Sequence, residues 1–170
     1  RRIANPLEQD AQFCARSDTL ARWLTNVESR LGSLSQKLSA SVGQAQDNID
    51  IAGDRGAKQS TDVPEQRIVQ TSYMQIDDAF YEARGATWAL MHFLRAVEID
   101  FDAVLRNKNA LVSVRQIIRV LEASQRTVFS PFILNGGGFG LFANHSLVMA
   151  NYVSRANAAI IDLRELLNQG

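Results

Sequence analysis

Apolar residues recur along this chain at spacings that alternate between four and three, in four separate stretches. Such spacing places one apolar seam along a helix and is typical of helices that pack side by side in a bundle. The seams predict helices over residues 8–45, 65–106, 109–125 and 144–168. The seam positions are Leu20, Leu24, Val27, Leu31, Leu34 and Leu38; Val69, Tyr73, Ile76, Phe80, Ala83, Thr87, Leu90, Leu94, Val97, Phe101 and Val104; Ala110, Val114, Ile117 and Leu121; and Met149, Val153, Ala156, Ile160, Leu163 and Leu167.

The four predicted helices give the expected fold class. We expect one all-α domain over residues 1–170, an antiparallel helical bundle of about four helices whose first two are long and coiled-coil-like. Asn144 has the side chain that the N-cap of the last helix needs. Gly85 lies in the middle of the second helix, where we expect it to permit close approach of another helix or a local kink. No segment predicts a strand, because Pro131 interrupts the one β-like run.

Two segments lack the helical periodicity. Residues 46–64 hold Gly53, Gly56 and Pro64 among polar side chains, so they predict a polar loop. Residues 127–143 hold four glycines and half of the eight phenylalanines. We expect this Phe/Gly loop to cross one end of the bundle and to lay its phenylalanines over the core. The alternative is that the phenylalanines form an exposed patch that binds a protein partner or lipid.

The charge balance narrows the classes of partner. The chain has 18 basic and 18 acidic residues, which argues against nucleic-acid binding and against electrostatic docking on acidic lipid. Fifteen of the basic residues are Arg, which pairs with carboxylates across packed helices better than Lys does. Cys14 is the single cysteine, so an internal disulfide is excluded. No apolar run approaches the roughly 20 residues of a membrane span.

A polar stripe follows one face of the second predicted helix. Its members are spaced by four, three, four and four residues and are Asp77, Tyr81, Arg84, Trp88 and His92. Such a stripe can form a polar site, but more often it is an amphipathic helix face with one ion pair. The carboxylates of Asp77, Asp78 and Glu82 fit either a cation site or a solvated acidic patch, and we favour the patch. An enzyme that used Asp77, Asp78 and His92 is therefore the less favoured hypothesis.

The spacings that several known chemistries require are absent. The phosphate-binding pattern lacks a Lys near the glycines, and the dinucleotide pattern lacks its third glycine. Neither Glu-x-x-His nor His-Glu-x-x-His occurs, and Gly-x-Ser-x-Gly is absent as well. The sequence therefore predicts no catalytic residue, no metal site and no cofactor.

The Phe/Gly loop and the beginning of the last helix form the candidate binding region. Residues 135–155 combine amides and Arg155 with small residues, which permit tight contacts while the amides require partners. We expect this region to face Trp88 and His92. The candidate binding residues are Arg84, Trp88, His92, Phe129, Phe132, Phe139, Phe142, Asn144, His145 and Arg155.

Three stretches of the chain resemble a known bacterial family. They are residues 13–20 followed by Leu31, Gly32 and Ser33; residues 78–85 followed by Trp88 and Ala89; and residues 154–159 followed by Leu166. The chain is similar to a membrane-anchored family known only as a domain of unknown function. The resemblance implies one N-terminal span in the inner membrane, a soluble part that is periplasmic, and no established activity. It also implies that this chain, which begins with Arg1 rather than Met, is the C-terminal portion, although residues 53–64 depart from the family pattern.

These observations favour a non-catalytic helical-bundle module of a bacterial envelope protein that acts through protein–protein contact or as a scaffold. We expect another protein or a second copy of the chain as the partner, and contact with the membrane only through a segment outside this chain. The alternatives are a ligand- or lipid-binding domain that uses the Phe/Gly loop, and an enzyme that uses the polar stripe.

Overall fold

The computed structural model describes residues 15–47, 66–137 and 141–169, which form five α-helices and one pair of short strands. The helices are α1 (Ser17–Ser39), α2 (Ile76–Asp100), α3 (Asp102–Asn107), α4 (Leu111–Ser124) and α5 (His145–Asn168). The strands are β1 (Gln44–Asp47) and β2 (Gln66–Val69), and single 3-10 turns cover Ala40–Val42 and Tyr73–Gln75. The all-α class that the seams predict is confirmed.

The first and last helices form the most extensive contact of the bundle. The Ser35 and Ser154 hydroxyls lie 2.6 Å apart, and Glu28 pairs with Arg164 at 2.6 Å. Because residue numbers rise along α1 while they fall along α5, the two helices are antiparallel.

The second and fourth helices pack against each other in the same antiparallel sense. Arg84, near the beginning of α2, bonds to Gln125 at the end of α4, and Glu98, near the end of α2, pairs with Arg115 in α4. α4 also packs against α5, and α1 against α2. The four main helices therefore run up, down, up and down.

The seam positions form the core of this bundle. Every seam position of the last two predicted helices is buried, as are most of those in α1 and α2. Burial of one Leu or Ile side chain contributes about 1.5–3 kcal/mol, so the seams explain why the helices associate. The largest fully buried side chains include Leu20, Leu24, Leu38, Leu94, Leu105, Ile117, Leu121, Ile160 and Leu163.

The strand pair corrects two predicted helix boundaries and the expectation that the chain has no strand. β1 and β2 pair antiparallel from Gln44 opposite Val69 to Asp47 opposite Gln66. The first helix therefore ends before the predicted residue 45, and the second begins after the predicted residue 65. Gly43 has a φ of 82°, which ends the helical run in a conformation that favours glycine. A local seam cannot reveal strand pairing with a distant segment.

The second predicted helix is also interrupted near its end. α2 ends at Asp100, Phe101 has a φ of −109°, and α3 follows directly. The seam position Phe101 stays buried at this break, and Val104 packs against the core beside the buried Leu105. α1, α2 and α5 have 23, 25 and 24 residues, so α1 and α2 are shorter than the predicted ranges 8–45 and 65–106 and have about the length of α5. Their coiled-coil character stays a prediction.

The predicted close approach of another helix at Gly85 is also wrong. This glycine is exposed on α2, and a Cβ added to it would meet no atom within 4 Å. The position needs no glycine for packing.

Some predictions fall on segments outside the described residues. These segments are residues 8–14 of the first predicted helix, with Cys14, and residues 48–64 of the predicted polar loop. That the chain forms a single domain stays a prediction. None of the described helices combines the length and the apolar character that crossing a membrane requires.

Candidate functional site

The two ends of the bundle carry different surfaces. At one end, α1 and α4 finish while α2 and α5 begin, and most of the exposed large apolar side chains lie there; we call it the apolar end. They are Val42, Ile68, Tyr73, Met74, Phe129, Phe132, Leu134, Leu141 and Phe142. At the opposite end, α1 and α4 begin while α2 and α5 finish. We call it the charged end, and among the described residues there the exposed large apolar side chains are Ile99 and Val112.

Three phenylalanines of the Phe/Gly loop face solvent at the apolar end. Phe129, Phe132 and Phe142 are 97%, 66% and 72% exposed, so the expectation that they cover the core is wrong. Phe139 lies outside the described residues. The alternative prediction, an exposed aromatic patch, is the arrangement that the structure shows for these three side chains.

Hydrogen bonds hold the first half of this loop in place. Ile133 is its one buried large apolar side chain among the described loop residues, and its backbone N–H donates to Asp77 Oδ1 at 3.3 Å. The backbone N–H of Leu134 donates to Nδ1 of His145 at 3.0 Å, and the backbone N–H of His145 donates to the Leu134 carbonyl at 3.0 Å. The loop is thus fixed to the beginnings of α2 and α5.

Two asparagines close the second half of the loop. Asn144 Oδ1 accepts from the backbone N–H of Leu147 at 2.8 Å, which confirms the predicted N-cap of α5. Asn144 Nδ2 donates to Asn135 Oδ1 at 2.9 Å and to the Gly136 carbonyl at 2.6 Å. Asn135 Nδ2 in turn donates to the Ser41 carbonyl at 2.7 Å, which ties the loop to the end of α1. Asn144, which the sequence predicts as a binding residue, therefore also stabilises the loop and the beginning of α5.

Gly136 lets the two arms of the loop approach closely. Its N–H donates to the Ala143 carbonyl at 3.0 Å, and a Cβ added to it would lie 2.1 Å from the Phe142 carbonyl oxygen. At the neighbouring Gly137, a Cβ would meet no atom within 4 Å. One of the loop glycines is therefore required by packing and the next is not.

Arg84 connects α2 to the end of α4. Its guanidinium donates to the carbonyls of Gln125 and Arg126 at 2.8 and 2.9 Å. Gln125 Nε2 donates back to the Thr87 hydroxyl at 2.9 Å, next to the buried Ser124. A cation at a helix C-terminus is favoured by the helix dipole, so this predicted binding residue also stabilises the bundle.

Trp88 and His92 lie exposed on α2, with ring centroids 4.4 Å apart. His145 instead contacts Phe80, with ring centroids 6.4 Å apart. Among the described loop residues, none forms a hydrogen bond or ring contact with Trp88 or His92, so the structure does not show the predicted juxtaposition for them. Arg155 lies exposed on α5.

The three carboxylates near the beginning of α2 are exposed and do not share a partner. Asp77 accepts a hydrogen bond from the loop, Glu82 pairs with Lys37 of α1, and Asp78 is exposed. Among the described residues, no group of His, Cys, Asp and Glu side chains is arranged to hold a metal ion. The predicted stripe is thus a surface rather than an enclosed site.

The resolved pKa shifts lie at the charged end. Arg106 lowers the pKa of Asp102 below its ordinary value of 3.8 through hydrogen bonds at 2.8–2.9 Å, and Asp102 raises the pKa of Arg106 in return. Arg16 lowers the pKa of Asp18 in the same way, at 3.1 Å. These exposed ion pairs are surface features.

A pocket of about 290 Å³ opens beside the apolar end, between α2, the end of α4 and the beginning of α5. Its lining includes Arg84, Phe129 and His145 from the predicted set, but neither Trp88 nor His92. The sequence does not predict Phe80 and Met149 as lining residues, because both are seam positions and are expected in the core. A second pocket of about 300 Å³ lies between α1 and α2.

The fold and the site together define an all-α helical bundle with an exposed apolar end. A family model described as an uncharacterized protein conserved in bacteria (DUF2333) matches residues 1–170, and the chain belongs to this family. No curated protein and no solved structure matches the chain. The family resemblance expected from the motifs is thus confirmed, whereas membrane anchoring and the C-terminal position in a longer protein stay predictions.

Proposed function

We propose that this chain is a non-catalytic interaction module that binds a protein partner through its apolar end. The exposure of aromatic side chains there is the observation that carries the proposal. Phe129, Phe132, Phe142 and Tyr73 are each between 66% and 97% exposed, and together they offer roughly 600 Å² of apolar surface. This summed surface approaches the about 800 Å² that each partner contributes to a stable interface.

The charges around the patch favour a protein over an anionic lipid surface. Asp77 and Asp78 are exposed in the first turn of α2, where they repel acidic headgroups. The charge of Lys37 is offset by that of Glu82. Two other cations of this end, Arg84 and Arg126, line the pocket that Phe129 borders, and neither Phe132 nor Phe142 lines it. Acidic groups next to aromatic side chains suit a partner that brings apolar and basic side chains.

The anchoring of the loop supports binding as well. Because Asn135, Asn144 and His145 fix the loop backbone, the loop has less conformational freedom to lose when a partner binds. A fixed backbone that presents rigid aromatic side chains is the usual composition of an interaction hot spot.

We place the module at the bacterial envelope, with the soluble part in the periplasm and the membrane anchor in a segment outside this chain. The three motif stretches that resemble the membrane-anchored family support this location. Fractionation of the full-length protein, with a periplasm-specific reporter fused after the bundle, tests it. Recovery of the full-length protein in the cytosol would contradict it.

Photo-cross-linking in living cells tests the proposed interface. A photoreactive phenylalanine analogue replaces Phe132 or Phe142 in the full-length protein, and the matched control places it at Val112, which is 67% exposed at the charged end. We expect a discrete protein adduct, identified by mass spectrometry, from positions 132 and 142 and none from position 112. A second copy of the chain in the adduct would identify self-association.

A double variant tests whether the exposed phenylalanines supply the affinity for the protein partner. Phe132→Ser with Phe142→Ser should abolish the adduct formed by an analogue at position 129, while Ile99→Ser with Val112→Ser should leave it unchanged. The thermal midpoint of both variants should stay close to that of the parent chain, because all four side chains are exposed. Equal adducts from both ends, or adducts with lipid alone, would contradict a protein interface at the apolar end.

A further inference from the structure

The pocket beside the apolar end has an apolar interior and a basic rim. Phe80 and Met149 are buried residues in its lining, and Val128 packs against the same core. Phe129 stands at its edge with 97% of its surface exposed. A molecule in this pocket would therefore gain contacts with the core and would also cover Phe129.

The polar groups of the lining are basic or neutral. Arg84 and Arg126 supply two guanidinium groups, and no carboxylate lies among the described residues that line the pocket. Arg84 is held in place by the carbonyls at the end of α4, whereas Arg126 is exposed. His145 uses Nδ1 as an acceptor for the loop, which leaves its Nε2–H as a further donor. The pocket therefore suits an anionic group next to an apolar body.

We propose that this pocket binds a medium-chain carboxylate, with its hydrocarbon between Phe80, Val128 and Met149 and its carboxylate beside Arg126 and Arg84. The pocket volume of about 290 Å³ is at the lower end of the about 300–1,000 Å³ of small-molecule sites. That size admits one medium-length acyl chain but no complete phospholipid. The pocket shares Phe129 with the proposed protein interface, but Phe132 and Phe142 do not line it, so variants at positions 132 and 142 test the two proposals separately.

Methionine methyl resonances provide a direct test. The chain has three methionines: Met149 lines the pocket, Met91 is buried in α2 away from the pocket lining, and Met74 is exposed before α2 at the apolar end. Decanoate, titrated below its micelle concentration, should shift the Met149 methyl resonance to saturation and leave Met91 and Met74 in place. Decanol should bind at least about tenfold more weakly, since it lacks the charge that the guanidinium groups would bind.

Two variants test the two halves of the pocket. Arg126→Gln should weaken decanoate binding roughly fivefold to tenfold and leave decanol binding unchanged. The matched control is Arg119→Gln, which removes an exposed Arg of α4 that does not line the pocket. Ala123→Leu fills the pocket and should abolish the saturable shift, whereas Ala96→Leu on an exposed face of α2 should not. Val148→Trp, at an exposed lining position, gives a second filled pocket if Ala123→Leu does not fold.

Several results would overturn the proposal. Equal affinities for decanoate and decanol would remove the role of the basic rim. Joint, non-saturating shifts of Met74 and Met149 would indicate adsorption to the apolar end instead of binding in the pocket. Equal effects of the variants at positions 126 and 119 would indicate general electrostatic attraction. A cross-linked protein partner with no decanoate binding would leave the interaction proposal intact and refute this one.

Discussion

At the charged end of the bundle, ion pairs cover an apolar interior, whereas at the apolar end large apolar side chains face solvent over a network of amides. Arg106 pairs with Asp102 and Arg115 with Glu98 around the break between α2 and α3. Such exposed pairs add little to stability, because water and salt screen them, so burial of the seams supplies the stability of this end. At the apolar end, Asn144 is buried while Phe129, Phe132 and Phe142 of the same loop are exposed.

The difference teaches how a loop can be ordered without burying its large side chains. Loops rich in glycine and aromatic residues are ordinarily anchored by the aromatic rings. Here, hydrogen bonds to Asn135, Asn144, His145 and Asp77 anchor the backbone, each with a net contribution of about 0.5–1.5 kcal/mol. The phenylalanines are thereby left available for contact with another molecule.

The largest expected effect comes from adding one methyl group to the apolar end. Gly136→Ala should lower the free energy of unfolding by about 2–3 kcal/mol, because the new Cβ would clash with the Phe142 carbonyl and force the backbone to move. Gly137→Ala is the matched control and should change it by less than about 0.5 kcal/mol. Urea denaturation measures both, and equal effects would mean that close backbone approach does not fix the loop.

The next effect tests the amide network. Asn144→Ala removes the N-cap of α5 and two further hydrogen bonds, so it should cost about 2 kcal/mol. Asn144→Ser keeps a capping oxygen and should cost less. At the charged end, Arg16 occupies the N-cap position of α1 without a side-chain cap, and Arg16→Ala should cost at most about 0.5 kcal/mol. Equal losses at the two positions in thermal unfolding would refute the contrast between the ends.

A glycine within a helix, away from both ends, should respond with the opposite sign. Gly85→Ala should raise the free energy of unfolding by about 0.5–1 kcal/mol, because alanine favours the helix and the space around this position is open. Chemical denaturation of Gly85→Ala beside Gly136→Ala separates helix propensity from close packing. A destabilised Gly85→Ala would contradict the open space around this position.

The smallest effect concerns the exposed pairs of the charged end. Because Arg106 lowers the pKa of Asp102 in the folded state, the pair favours folding above pH 3.8 and loses this effect as the pH falls through the folded-state pKa. Arg106→Gln should move the pKa of Asp102 up towards 3.8, as measured by NMR titration of the carboxyl group. Salt at about 1 M should produce a similar upward shift in the parent chain. An unchanged pKa would show that the pair is not formed in solution.

Part of this structure could be predicted from local sequence. Every seam position of α5 from Met149 to Leu167 is buried, because a three-four spacing always falls on one face of a helix. The N-cap at Asn144 is equally local. The same spacing misplaced the beginning of the second helix, since Val69 joins a strand and Tyr73 is exposed although both continue the seam.

Less of the candidate site than of the fold could be predicted from the sequence. Glycines and phenylalanines marked the loop, but nothing in their spacing shows that Asp77 and Ser41 supply acceptors to it. The sequence predicts Arg84 as a binding residue. The carbonyls to which it donates lie at the end of another helix, so its structural role is not visible in the local sequence. The sequence predicts Phe80 and Met149 as core positions. Both are buried in the structure, and both also line the pocket.

The sequence by itself determined an all-α bundle and most of its core, because helix periodicity is a property of neighbouring residues. Only the tertiary structure decided which way the phenylalanines face. Their exposure depends on whether the loop finds hydrogen-bond partners on α2, on α5 and in the 3-10 turn that follows α1. The side chains that supply or receive those bonds are far apart in the chain, so their coincidence at one end of the bundle exists only once the helices have packed.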